Sequence, residues 1–345
     1  MKKIGVIIVL VLTCIITLTG CSNKKEGSKH IGSEQKKIQI GLSFDSFVIE
    51  RWQRDRDVFA STAKELGAEV NVQNANGDLK EQISQIEYLI DKKMDAIVVV
   101  AVDSDALTSV MKKAKDAGIV VIAYDRLVNK ANVDLYISFD NEKVGKLMAE
   151  ALVNGVPKGG NIITIFVPTS DHNVALVEQG FNEVIKDADI NIVHKVYAKE
   201  WLAEEAFKAV NTALAKNPDI DGVMCGNDNL ASEAVRALSE NRLAGKVVVT
   251  GQDADLVACQ RIVEGTQTMT VYKPVDQLAK SAAEYAVKMA KGEKIEFKES
   301  IDDGSYKVPY VKLEPVAVNK DNIYQVIVQG GFQREEDVYL NVSKD

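Results

Sequence analysis

The side chains best equipped for chemistry in this chain are Arg51 and Trp52, Asp125 and Arg126, Asp171 and Asn173, and then Trp201, Asn227, Asp253 and Lys273. Carboxylates and carboxamides accept hydrogen bonds, whereas Arg, Lys and amide N–H groups donate them. A set holding both kinds can satisfy a hydroxyl from its two sides. The C–H faces of a pyranose ring are apolar and stack on aromatic planes, and Trp52 and Trp201 are the two tryptophans of the sequence. The chemistry implied is recognition of a small polyhydroxylated ring. Each residue also has a plainer account. A single Asp or Asn after a strand commonly caps a helix, Asp125–Arg126 or Asp253 would serve as surface ion pairs, and a lone Trp is usually core.

Placement favours the joint reading. Short apolar strands are expected at 37–44, 68–75, 96–102, 119–124, 135–140, 161–168, 190–198, 222–227, 246–253 and 268–274. Between them lie amphipathic stretches such as 80–92, where Ile83, Ile86 and Ile90 recur at helical spacing. Helices over 105–117 and 254–264 should end at Gly118 and Gly265. Alternating strands and helices predict an α/β fold with parallel, doubly wound sheets, and so many strands suit two sheets better than one. Ligands of such sheets bind beyond the carboxyl ends of the strands, and seven of the ten strands lead into the residues named above.

The chain order predicts a first lobe from 38 to 141, a second from 142 to 274, and a helix at 275–291 returning to the first. The strand-like tail from Lys294 should stay with the first lobe to about 314, then cross near Pro315–Val318 and join the second over about 315–340. Several crossings make a hinge on which two lobes can close over a ligand.

Upstream of Ile38 the sequence is of another kind. Lys2 and Lys3 precede an uncharged run from Ile4 to Gly20 that ends Leu18-Thr19-Gly20-Cys21. This pattern predicts an export signal over 1–20 and lipidation of Cys21, followed by a polar, flexible tether over 21–37. The formal charge is −8, and it becomes two units more negative once Lys2 and Lys3 leave with the signal. An acidic surface argues against nucleic acid. Of the remaining cysteines, Cys14 leaves with the signal, and Cys225 and Cys259 sit in apolar runs that predict buried free thiols.

Longer motifs point to a family. Glu50-Arg51-Trp52-Gln53 followed by Asp55-Arg56-Asp57, then Ala123-Tyr124-Asp125-Arg126, the run from Tyr136 to Gly145, Gly251-Gln252-Asp253-Ala254-Asp255 and the run from Gly265 to Pro274 closely resemble the periplasmic D-xylose-binding proteins of ABC sugar transporters. The resemblance runs from about 38 to 335. It implies a type I periplasmic binding protein fold, with two doubly wound lobes on a multi-crossing hinge, and xylose held by Arg51, Trp52, Asp125, Arg126, Asp171, Asn173, Trp201, Asn227, Asp253 and Lys273. Two positions depart from the family pattern. His172 stands where an Asn is usual, and Ala101 where the third strand often ends in Pro.

An enzyme on such a fold would need a nucleophile with its base, a metal cluster or a phosphate loop. The sequence contains neither G-x-S-x-G nor G-x-x-x-x-G-K-[ST], and His30, His172 and His194 are scattered. No cofactor and no metal are therefore expected. A sugar-responsive repressor would open with a helix-turn-helix rather than an export signal. The expected partners are D-xylose or a related monosaccharide, an ABC permease, and the membrane through the lipid anchor, with the chain itself a monomer on the extracytoplasmic face. A sensor docking on a histidine kinase or chemoreceptor would use the same ligand site.

Overall fold

The computed structural model describes residues 37–342. The signal segment, Cys21 and the tether up to Lys36 lie outside the described residues. The first part of the chain runs β1 (Ile38–Phe44), α1 (Arg51–Glu65), β2 (Ala68–Asn74), α2 (Leu79–Asp91), β3 (Ala96–Val99), α3 (Thr108–Asp116), β4 (Val120–Tyr124) and β5 (Leu135–Phe139). It continues with α4 (Asn141–Gly155), β6 (Gly160–Phe166), α5 (His172–Ile185), β7 (Ile190–Tyr197), α6 (Glu204–Lys216), β8 (Gly222–Cys225), α7 (Asp228–Glu240), β9 (Val248–Gln252), α8 (Leu256–Glu264) and β10 (Met269–Tyr272). The last part holds α9 (Val275–Ala290), β11 (Glu299–Asp302), β12 (Lys307–Leu313), β13 (Val316–Asn319) and α10 (Glu335–Val338).

The strands form two sheets, ordered β11-β12-β5-β4-β3-β1-β2 and β13-β10-β9-β8-β6-β7. Strands β1 to β5 are parallel to one another, as are β6 to β10. Each sheet therefore repeats one doubly wound order, reversing direction between β1 and β3 in the first and between β6 and β8 in the second. Ligands settle at such reversals, beyond the carboxyl ends of the strands. The two-lobed α/β architecture expected from the alternation is present, and all ten expected strands occur within a few residues of their expected bounds.

Apolar side chains clothe both faces of the first sheet. Ala96 and Val98 point to the side covered by α1 and α9, while Ile97 and Val99 point to the side covered by α2 and α3, as a two-residue pleat requires. A second core covers much of the second sheet, while α8 and Val318 of β13 pack into the cluster that holds α1 and α9. In the second core α4 and α5 meet through two glycines. A Cβ on Gly145 would lie 1.9 Å from Val177 O, and one on Gly180 would lie 1.9 Å from Glu142 O. The contact sets the height of α5 and hence the position of its first residues, which face the other lobe.

Helix bounds follow local chemistry. Asp78 caps α2 by accepting from the N–H groups of Lys80 and Glu81, and α8 stops at Gly265 with φ +87°. Helix α3 begins later than the expected residue 105. Asp103 Oδ1 accepts from the N–H of Asp105 and Ala106 at 2.8 and 2.9 Å, and this local turn competes with the first helical turn.

The chain passes between the sheets three times: from β5 into α4, whose apolar face joins the second core; from β10 into α9, which joins the first; and from β12 to β13. In the tail, β12 runs parallel to β5, and β13 lies antiparallel to β10. Cys225 and Cys259 are buried and free. Among the described residues no helix is long and apolar enough to cross a membrane.

Candidate functional site

The first lobe brings its site residues together as a braced block. Arg51 and Trp52 open α1, just beyond the loop that leaves β1. The Arg51 guanidinium forks Asp55 one turn on, with Nε to Oδ2 at 3.2 Å and Nη2 to Oδ1 at 3.1 Å, and donates through Nη1 to Asp125 Oδ2 at 2.9 Å. The Tyr124 hydroxyl also donates to Asp55. Arg51 lies over the rings of Trp52 and Phe139, 4.3 and 5.4 Å from their centroids. Arg126 donates to Asp45 Oδ2 at 2.7 Å and to the Ala101 carbonyl at 2.9 Å. All these charges are buried.

Asp125 adopts φ +62°, a left-handed backbone that few residues other than glycine and asparagine visit. Its carbonyl holds it there by accepting from Tyr136 Oη at 3.0 Å, Ser138 Oγ at 2.7 Å and Asn173 Nδ2 at 3.0 Å. Burial pushes the Asp125 carboxyl up, but Arg51, Lys273 and Arg126 outweigh it and hold the group below the usual carboxylate range. At Asp55 burial prevails over Arg51 and raises the carboxyl.

The second lobe contributes from α5, from the turn after β7, and from the ends of β8, β9 and β10. Asp171 caps α5 by accepting from the Asn173 N–H at 2.9 Å, and it pairs across the lobes with Arg126 Nε at 3.0 Å. Burial again raises this carboxyl against the pull of Arg126. Trp201 ends a short 3-10 turn (Lys199–Trp201) at φ +61° and packs against both cores. The Arg126 guanidinium lies 4.7 Å from the Trp201 ring and 5.6 Å from the Trp52 ring. Asp253, at φ +100°, follows β9 directly. Its Oδ1 is 2.7 Å from Lys273 Nζ and 3.9 Å from Arg51 Nη1.

These residues surround one cleft between the lobes. Arg51, Trp52, Asp125, Arg126, Asp171, Asn173, Trp201, Asp253 and Lys273 all line it. Asn227 does not appear in that wall. It caps α7, its carboxamide oxygen accepting from the Leu230 N–H at 2.9 Å, while its neighbour Gly226 faces the cleft. The sequence reading passed over Asn141 and Gln252, which also line it. Both satisfy the strand-end rule, since Gln252 is the last residue of β9 and Asn141 follows β5.

Three buried side-chain atoms of this wall have neither a hydrogen-bond nor an ion-pair partner among the described residues: Trp52 Nε1, Arg126 Nη2 and Gln252 Oε1. Buried polar atoms are nearly always paired. Here donors and acceptors converge on one cleft, which is what a ligand carrying hydroxyl groups requires. Gln252 is held in place by donating through Nε2 to Gly226 O at 2.5 Å. Behind it, Asp228 accepts from Thr270 Oγ1 at 2.7 Å and Gln267 Nε2 at 2.8 Å, and burial lifts its carboxyl to about 7. Among the described residues no group of three or more His, Cys, Asp or Glu side chains is placed to hold a metal ion.

The lobes stand closed. Besides the Arg126–Asp171 pair, Tyr136 Oη of the first lobe lies 3.0 Å from Asn173 Oδ1 of the second, and the Ser104 N–H donates to Ser170 O at 3.0 Å.

Known proteins share this arrangement. Residues 40–294 match the family model described as a periplasmic binding protein domain. The chain is 43% identical to the D-xylose-binding periplasmic protein of Haemophilus influenzae, over 95% of this chain and 98% of that one. It is also 43% identical to the D-xylose-binding periplasmic protein of Escherichia coli, over 90% and 95%. A carbohydrate transporter solute binding protein from Chloroflexus aurantiacus, crystallised with D-glucose, shares the fold with a TM-score of 0.81 at 24% identity, covering 87% of this chain and 98% of that one. The chain thus belongs to the periplasmic binding protein family that includes the D-xylose-binding periplasmic proteins.

Proposed function

We propose that the protein captures D-xylose between its two lobes, without altering it chemically, and delivers it to the permease of an ABC sugar transporter. The observation that carries this reading is the closed cleft, in which buried donors on Trp52 and Arg126 and a buried acceptor on Gln252 lack partners from the protein. The names borne by its relatives in Haemophilus influenzae and Escherichia coli support xylose as the sugar. In this reading Arg51, Asp125, Arg126, Asp171, Asn173, Asp253 and Lys273 bind hydroxyls, Trp52 and Trp201 face the ring, and Gln252 and Asn141 join them. Asn227 acts through the loop that it caps.

The lobes we assign are 38–141 with about 275–314, and 142–274 with about 315–340. Cys21 carries the lipid that tethers a monomer to the outer face of the cell membrane. An open form takes the sugar on one lobe, and closure buries it and creates the surface that the permease reads.

Isothermal titration of the purified protein with D-xylose, D-ribose, L-arabinose, D-galactose and D-glucose tests the reading. Tight one-to-one binding of xylose with weaker binding of the others is expected. Heat with another sugar and none with xylose would keep capture and overturn the specificity, and silence with all five would overturn both.

A further inference from the structure

His172 has none of the roles assigned so far; with Asn129 it lines a hollow beside the cleft that shares Asp171 and Val174 with the cleft wall. It is the first residue of α5, between Asp171 and Asn173, and its ring turns toward the first lobe, where Nδ1 lies 3.0 Å from Asn129 Oδ1. The Nδ2 of the same carboxamide donates to Asp105 Oδ1 at 3.0 Å. An ionised carboxylate can only accept, so Asp105 fixes the direction of the Asn129 amide and leaves its oxygen toward the imidazole. That oxygen needs a donor. Nδ1 therefore carries the ring hydrogen, and Nε2 keeps a bare lone pair. Nε2 is buried and has no partner.

The backbone beside it is docked as well. The His172 N–H donates to Ser104 Oγ at 3.1 Å, the Ser104 N–H to Ser170 O at 3.0 Å, and the Asn129 N–H to Ser104 O at 2.8 Å. Loops following β3 and β4 in the first lobe thus grip the segment of the second that carries Asp171 and Asn173.

We infer that Asp105, Asn129 and His172 form a latch between the lobes beside the cleft, positioning Asp171 and Asn173 in the closed form, and that it holds only while His172 is neutral. A second proton would have to sit on Nε2, where burial leaves it neither water nor an acceptor. Burial holds the imidazole below its ordinary pKa, with Asp105 pulling in the other direction. The other charged or titratable groups around this hollow are already engaged. Asp171 is paired with Arg126, and Glu178 on α5 is bonded by Lys195 and by the Tyr197 hydroxyl from β7.

The sign follows. A group whose pKa is depressed by closure binds its proton better in the open form, so acid favours opening as the pH falls through the histidine range. The purpose of the latch rests on the sugar-capture reading, but its geometry does not.

The test compares the protein with His172→Asn, which is neutral at every pH and keeps Asp55, Asp125 and Asp171. Xylose Kd should weaken between pH 7.5 and 5.5 in the wild type, by up to about tenfold for each unit by which closure depresses the imidazole, with the loss carried by faster dissociation. His172→Asn should be flatter by that factor, and Asn129→Ala should match it while releasing sugar faster at pH 7.5. Parallel pH profiles in wild type and His172→Asn would overturn the latch and leave sugar capture standing. Should no sugar bind the wild type at pH 7.5, the capture reading fails. The latch is then decided by small-angle scattering of the sugar-free proteins. A radius of gyration that grows on acidification in the wild type but not in His172→Asn supports it, and identical profiles overturn it.

Discussion

The two halves of the cleft wall are built differently. On the first-lobe side nearly every charge is already answered by its own lobe, as Arg51 meets Asp55 and Asp125, Arg126 meets Asp45, and Tyr124 meets Asp55. On the second-lobe side Asp253 pairs with Lys273 alone within its lobe, Gln252 is held through its nitrogen with its oxygen free, and Trp201 is only half buried. The first half is a preformed platform whose geometry does not wait for ligand. It keeps Trp52 Nε1 and Arg126 Nη2 as donors unpartnered among the described residues, and the second half adds the Gln252 Oε1 acceptor and the half-buried Trp201 ring, so a hydroxyl is satisfied from both sides only where the halves meet over it.

That contrast can be broken experimentally, most severely on the platform. Arg51→Met leaves Asp55 and Asp125 facing each other without their common cation, and removing one partner of a buried pair costs about 3–5 kcal/mol. Urea unfolding should show that loss together with the loss of sugar binding. Trp201→Ala and Asp253→Asn should separate the two effects, with xylose affinity falling by roughly 10- to 100-fold, as expected for about 1.5–3 kcal/mol of lost interaction, and little change in Tm. A fall in Tm as large as that of Arg51→Met would erase the distinction between the halves. Gln252→Ala should weaken xylose by about tenfold in calorimetry, the effect of one hydrogen bond.

A separate effect is in pH dependence, where two buried carboxyls pull in opposite directions. Asp125, held low by its cations, contributes stability that is present above its unfolded pKa and is lost as the pH falls through its folded one. Asp228, lifted to about 7, binds its proton more tightly folded than unfolded. Its contribution therefore declines as the pH rises from about 4 to about 7, with a limiting slope of about 1.4 kcal/mol per pH unit. Denaturant titrations across that range should show the decline in the wild type and a flatter profile in Asp228→Asn.

Much of this was legible in the sequence because it is written in periodicity. Strands buried on both faces read as apolar runs, and the strand-end rule then picked out Arg51, Trp52, Asp125, Arg126, Asp171, Asn173, Trp201, Asp253 and Lys273, all of which meet in the wall. What escaped depends on which way a side chain turns. Asn227 and Asn141 both follow strands, yet one carboxamide turns back onto its own helix and the other faces the cleft. Gln252 was hidden inside a strand, since only the last residue of β9 is free to project beyond the sheet. Asp55, Asp45 and Tyr124 brace the site from behind, and that role arises from contacts between segments far apart in the chain.

The three passages between the sheets carry a mechanical consequence. A single tether leaves two bodies free to twist, slide and bend, whereas three side by side resist twist and slide and leave a bend about one axis. Closure then has a single coordinate, and the two tryptophans, one on each body, arrive at the same separation every time. Such a joint has redundancy. Cutting the chain at Glu314–Pro315, between β12 and β13, would leave two ties spanning the axis, so the motion should outlive the cut even where new chain ends are made.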